Sequence, residues 1–263
     1  MQTEDLSAEE LEKQFYQGAL NSGTDVALIA DSILHVNRGF ASLTGHERAD
    51  DGGFVRMLLV TRSLNSLHWA RQLLCTGYLA QALLLTRSAM EDWGTTVYVK
   101  HHPEKAPLWL ERPDHDIAKW AGPSFADIWT DAFSDGAKDE AEEAVKKTKA
   151  MYGALSLFAH PRAAGLSYLV TFDSEQTFFH VGPPKAWDVN QFETGLYFLL
   201  NIVQAFFSTV DTLVFDTTGE ADEDWRAQGS ELSIQILQRL ALIENRVMNR
   251  VEQGLDSEEA DPN

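Results

Sequence analysis

The chain has 263 residues, 44% of them hydrophobic, enough to bury a core without disulfides or metals. Its one cysteine, Cys75, excludes an intrachain disulfide, and 21 Lys plus Arg against 40 Asp plus Glu give a formal net charge of −19. That balance disfavours a broad phosphate-binding surface, so RNA and anionic membranes are poor partners.

The first residues, Met1 to Asp5, are acidic, and no basic stretch precedes an apolar one, so the expected location is cytoplasmic. Acidic clusters at Glu4 to Glu12, Asp139 to Glu143, Glu220 to Asp224 and Glu252 to Asp261 read as solvated surface. Lys146, Lys147 and Lys149 follow one of them on the same expected helix, a pattern that fits i,i+4 pairing. Prolines divide the chain. None lies between Met1 and His102 or between Lys185 and Asp261, so both blocks are free to hold long helices.

Ser7 with Glu10 forms a capping-box pattern for a helix over 8–21. Val26 to Val36 is ambiguous between helix and strand. After Gly52-Gly53, Phe54, Met57, Leu58, Thr61, Leu64, Leu67 and Ala70 recur every three or four residues, which predicts a helix to about Thr76. Cys75, in the run Leu73-Leu74-Cys75, reads as a small core hydrophobe. Gly77 punctuates the pattern. A further helix is expected over 78–100, with Leu79, Leu83, Thr86, Met90, Trp93 and Val97 on one stripe. Short helical pieces are expected at 104–111 and 123–134. A long amphipathic helix follows Gly136 and is stopped by Pro161.

Tyr168 to Phe172 and Thr177 to Val181 are rich in β-formers and predict one small hairpin within 167–181. Helices over 188–216 and 222–253 complete the chain. The uncharged run between Glu193 and Asp211 is near the lower limit for a membrane span, but Asn201, Gln204 and Ser208 interrupt it and no basic flank marks one end. It reads as a buried central helix, and no membrane partner is expected. Trp225, Leu232, Ile236, Leu240, Ile243, Val247 and Val251 form a narrow seam, from which self-association as a homodimer through the last helix is expected. The expected fold is all-α, a multi-helix bundle with one small β-hairpin, in a single domain over 1–263 with its core at about 50–253 and acidic tails at both ends.

No Gly-rich phosphate loop, G-x-S-x-G elbow, H-E-x-x-H or paired E-x-x-H stands in the sequence, and one cysteine forms no zinc-knuckle spacing. His101 and His102 with Asp114, His115 and Asp116 are the densest set of possible metal ligands. Neighbouring helical residues point about 100° apart, however, so the pair reads as a polar helix end. No metal and no cofactor are expected.

Two helical faces carry more. Arg87, Glu91, Gly94 and Tyr98 share one face, and Tyr152, Ser156 and His160 share another. Charges beside an apolar stripe cannot be buried unpaired, and Glu91 is the obvious partner for Arg87. Arg87 precedes its acid, the weaker order for an isolated helix, which suggests tertiary partners. An interior network that sets helix register and a functional pocket both remain open. The two faces are expected to meet at a cleft, with Arg87 and His160 within about 12 Å of each other. A purely structural cluster implies that Arg87→Ala leaves Glu91 buried and unpaired, at a cost of about 3–5 kcal/mol.

The run Thr86-Arg87-Ser88-Ala89-Met90-Glu91-Asp92-Trp93, with Tyr98 and His102 to Ala106, resembles the arginine-plus-glutamate helix of bacterial and phage helical proteins related to HEPN bundles and abortive-infection proteins. Tyr152 to Pro161 resembles their second motif, a serine followed by a histidine at a helix end. The resemblance covers about 50–190. It implies a helical bundle acting in defence or stress, and in many HEPN proteins a metal-independent ribonuclease whose arginine and histidine are separated by four to six residues. This chain departs there, because no arginine stands at that distance before His160. The literal match, Arg62 to His68, is expected about once by chance in this composition. A ribonuclease here recruits Arg87 across the bundle, with His160 as general base and Arg87 holding the phosphorane charge. The candidate catalytic residues are thus His160, Arg87 and Glu91, and the candidate binding residues Tyr152, Ser156 and Tyr98. The readings are a HEPN-like protein that does not catalyse, a ribonuclease, and a small-molecule binder.

Overall fold

The computed structural model describes residues 7–23, 25–43, 50–110, 128, 133, 138–159, 170–172, 177–179 and 187–259. The described part is a helical bundle of α1 (Ala8–Asn21), α2 (Asp25–Ala41), α3 (Asp51–Cys75), α4 (Leu79–His101), the short α5 (Ala106–Leu110), α6 (Lys138–Ala159), α7 (Val189–Thr218) and α8 (Glu223–Glu259). One antiparallel hairpin pairs β1 (Val170–Phe172) with β2 (Thr177–Phe179), Val170 opposite Phe179.

Local chemistry sets the helix ends. At α1, Glu10 N–H donates to Ser7 Oγ (3.3 Å) and Ser7 N–H to Glu10 Oε2 (2.8 Å), the reciprocal pair expected from sequence. Asp50 caps α3 by accepting from Gly53 N–H at 2.6 Å. Between α3 and α4 the chain reverses at Gly77, whose φ of 92° suits glycine, while Tyr78 N–H reaches back to Leu73 O at 2.8 Å. Gly219, at φ 72°, ends α7 in the same left-handed way.

α3 and α4 form a closely packed antiparallel pair. α7 lies across them and also touches α2 and α8. α7 is apolar on almost every side because it is surrounded: Phe192, Leu196, Tyr197, Phe198, Val203, Phe206 and Leu213 are all buried. Among the described residues it is the one helix long and apolar enough to cross a bilayer, and here it is the axis of the core. A Cβ on Gly195 would stand 2.3 Å from Leu74 Cδ1, so this glycine lets α7 approach the end of α3.

Four readings change. Val26 to Val36 is helical, because Leu28, Ile29, Ile33 and Val36 recur at helical spacing and bury one face. The core therefore begins before residue 50, with Phe15 and Ala19 of α1 also enclosed. The piece expected over 104–111 starts as a tight 3-10 turn at Pro103–Lys105 before α5. α8 runs to Glu259, past the expected end at 253. The helix expected over 123–134 falls outside the described residues apart from Ile128 and Phe133, and so do Asp114, His115 and Asp116.

The seam on α8 is spent inside the chain. Ile236, Leu240, Ile243 and Val247 are buried in the core formed with α2 and α7. Ion pairs reinforce it. Arg239 grips Asp25 of α2 with two bonds of 2.8 Å, and Arg246 Nη2 reaches Glu193 of α7 at 2.7 Å. Glu244 takes Lys147 of α6 at 2.7 Å and the Tyr197 hydroxyl of α7 at 3.1 Å.

Candidate functional site

The α4–α6 contact brings three of the proposed residues together. Arg87 and Glu91 lie one turn apart on α4, and Arg87 Nε donates to Glu91 Oε1 at 3.0 Å. Tyr152 comes across from α6. Its hydroxyl accepts from Arg87 Nη2 at 2.8 Å and donates to Glu91 Oε1 at 3.1 Å, and the guanidinium carbon lies 4.9 Å from the ring centroid. Every pair in this triangle is bonded, so the weak i,i+4 order of Arg87 and Glu91 is offset by a tertiary partner. The Arg87 side chain is 16% exposed and that of Glu91 37%. Burial, ahead of the opposing effects of its two partners, raises the Tyr152 pKa, so the phenol is protonated at neutral pH.

The other proposed residues are placed differently. Ser156 is one turn beyond Tyr152, and its hydroxyl donates to Tyr152 O at 2.6 Å, a bond within its own helix. Tyr98 is buried against His102, ring centroids 4.5 Å apart, about 16 Å along α4 from Arg87 at 1.5 Å per residue. It does not join the triangle. His160 lies outside the described residues, and with it the expected approach to Arg87.

Arg62 and Asp92 were not among the candidates. Asp92 is fully enclosed between α3 and α4, its side chain 1% exposed, while that of Arg62 is 63% exposed. Arg62 holds the carboxylate through both Nε, at 2.8 Å, and Nη2, and Ser63 adds its hydroxyl at 3.3 Å. These bonds raise the Arg62 pKa, and Glu91 adds to the effect. Glu91 itself is bonded to Arg87 and Tyr152. A signal existed in the sequence: of two successive acids on a helix with an apolar stripe, one must turn inward and demand a cation.

One face round from the triangle, α4, α6 and α7 line a shallow, open hollow of about 320 Å³, floored by Met90, Trp93, Met151 and Ile202 and rimmed by Asn201 and Gln204. Trp93 is held there by donating Nε1–H to Thr209 Oγ1 at 3.1 Å. Among the described residues no group of three or more His, Cys, Asp or Glu is placed to hold a metal ion. Cys75 is buried, and its thiol is pushed up to about 11 by desolvation, so it is protonated at neutral pH. Comparison with protein-family models, with curated proteins and with solved structures gives no match for this chain.

Proposed function

We propose that this chain is a HEPN-like helical-bundle protein with a defence or stress role that acts by binding rather than cleavage, through the partly exposed cluster of Arg87, Glu91 and Tyr152. The observation that supports this reading is the closed triangle itself. The Arg87 guanidinium is already neutralised by Glu91 and bonded to Tyr152, so holding a phosphorane requires it to break bonds it has. The net charge of −19 works in the same direction against RNA. The neighbouring hollow between α4, α6 and α7 supports a small, partly apolar ligand with a polar head as the bound species.

A ribonuclease using His160 and Arg87 is the second reading. It is favoured by one observation: Arg87 and Arg62 are held by the successive acids Glu91 and Asp92 of α4, which keeps two cations near one another on that helix. Two experiments on the full chain separate the readings. Labelled single-stranded and hairpin RNAs, incubated with the protein and chelator, are expected to remain intact. Cleavage that disappears in both His160→Ala and Arg87→Ala would establish the ribonuclease instead. A thermal-shift screen of small polar-aromatic compounds is expected to yield ligands that raise the Tm of the parent and not of Tyr152→Phe. Ligands whose shift is equal in the two proteins exclude the triangle as the binding site.

A further inference from the structure

Arg62, Arg226, Arg239 and Arg246 each present Nε and Nη2 together to a carboxylate, the side-on fork that matches two oxygens. Arg56 of α3 does not. It donates Nη1–H to Asp216 Oδ2 of α7 at 2.7 Å, and among the described residues its side chain makes no other hydrogen bond. Its Nε is enclosed and has no hydrogen-bond partner. The Arg56 side chain is 7% exposed, so the most enclosed of these guanidiniums makes the fewest bonds. A buried charge ordinarily gathers more partners than an exposed one.

Arg56 lines a hollow of about 300 Å³ where the start of α3 meets the ends of α4 and α7. Gly52 and Gly53, in the first turn of α3, line it without side chains, and Val99, Pro103 and Leu213 give it an apolar wall. Lys100 also lines it, is exposed, and holds no acid among the described residues. Asp50 and Asp216 are the acids of the lining. Asp50 is engaged by Gly53 N–H and Asp216 by Arg56.

We propose that this hollow binds a small aliphatic monocarboxylate, its two oxygens on the Nε–Nη2 edge of Arg56, Lys100 as a second cation, and its short chain against Val99 and Leu213. The planar fork fits a carboxylate, and the positive start of α3 favours the same charge. Two acids in the lining disfavour a second negative charge, so inorganic phosphate is the poorer ligand. Because Nε is enclosed, the guanidinium turns toward the hollow as the ligand seats, and the orphaned N–H gains a partner. Lys100 stands about 20 Å along α4 from Arg87 at 1.5 Å per residue, so the proposal is independent of any ligand at the α4–α6 cluster.

Sodium butyrate titrated into the full chain at neutral pH, with sodium chloride holding ionic strength constant, tests this by NMR. The signal followed is the Arg56 Nε–Hε cross-peak, identified as the one missing from Arg56→Lys. Its proton is expected to move downfield and saturate, with a Kd on the order of 1–10 mM. Sodium phosphate is expected to bind at least about threefold more weakly, and Lys100→Ala to weaken butyrate by at least about threefold. A cross-peak that stays in place, or that moves without saturating up to about 100 mM butyrate, overturns the proposal. Phosphate binding as tightly as butyrate also overturns it. If Arg56→Lys does not fold, the cross-peak is identified by its displacement in Asp216→Asn. Lys100→Ala, changed at an exposed position, then carries the test, and butyrate affinity equal to the parent's in that variant overturns the site.

Discussion

Two arginines of α3 and α4 look alike in sequence and are opposite in energetics. Arg87 is the more enclosed, but the carboxylate it holds reaches water, so Glu91 can rehydrate when the guanidinium is removed. Arg62 is the more exposed, but it holds a carboxylate that cannot. Arg87→Ala is therefore expected to cost about 1 kcal/mol, well below the figure for a buried acid. Arg62→Ala, which leaves Asp92 enclosed with only the Ser63 hydroxyl, is expected to cost about 3 kcal/mol or more. Urea unfolding of both variants checks the order, and Asp92→Asn in the Arg62→Ala background is expected to recover part of the loss. Arg87 with Glu91 is readable from spacing because one helix presents both, and Tyr152 follows from the single face it shares with Ser156. Arg62 with Asp92 is not readable that way. The two lie 30 residues apart, on helices whose mutual rotation no local pattern reports.

At the scale of the element, the α2–α8 contact turns on small residues and one enclosed imidazole. A Cβ on Gly39 would meet the Trp225 ring at 2.6 Å, and one on Gly229 would meet His35 Nε2 at 2.7 Å. Gly229→Ala is expected to force this contact apart and cost about 1–3 kcal/mol. His35 stacks on Trp225 with centroids 4.3 Å apart, and its buried Nε2 has no hydrogen-bond partner. Burial first, then Arg38, lowers its pKa, against a smaller opposing pull from Asp222. A base whose folded pKa is depressed binds its proton more readily when unfolded, so stability rises with pH until about 6.5, the unfolded imidazole value, and is lost as pH falls below it. The urea midpoint is expected to fall between pH 7.5 and 5.5 in the parent and to fall less in His35→Asn. Helix periodicity made α1, α3, α4, α6, α7 and α8 legible. α2 was ambiguous because its apolar run is short and β-branched at Val26, Ile29, Ile33 and Val36, and only burial of one face against α7 and α8 decides for helix.

Over the whole molecule, a charge of −19 repels itself in the folded state, where the acids are held closest together. Raising sodium chloride from about 20 to 300 mM shortens the Debye length from roughly 20 to below 8 Å. The screened repulsion is expected to raise the Tm, although exposed pairs such as Lys13 with Glu9 weaken. A Tm that falls with salt would mean that ion pairs, among them the clamps on α8, outweigh net repulsion. The all-α class was legible because long proline-free blocks with a 3.6-residue rhythm leave few alternatives. The direction of the α8 contacts was not. A narrow apolar seam has the same sequence whether it packs within one chain or between two.

The clamp from Arg239 to Asp25 joins residues 214 positions apart. Contacts between α3 and α4 need only a short loop to close, whereas α2 and α8 meet only after most of the chain has been made. During synthesis, then, the buried face of α2, with Ile29, Ile33 and Val36, waits first for α7 and last for α8. The order of events follows from that separation: the helical hairpin forms early and cheaply, and docking of α8 is the late, entropically costly closure. A nascent chain stalled before Trp225 should accordingly depend on chaperones that recognise the uncovered face of α2.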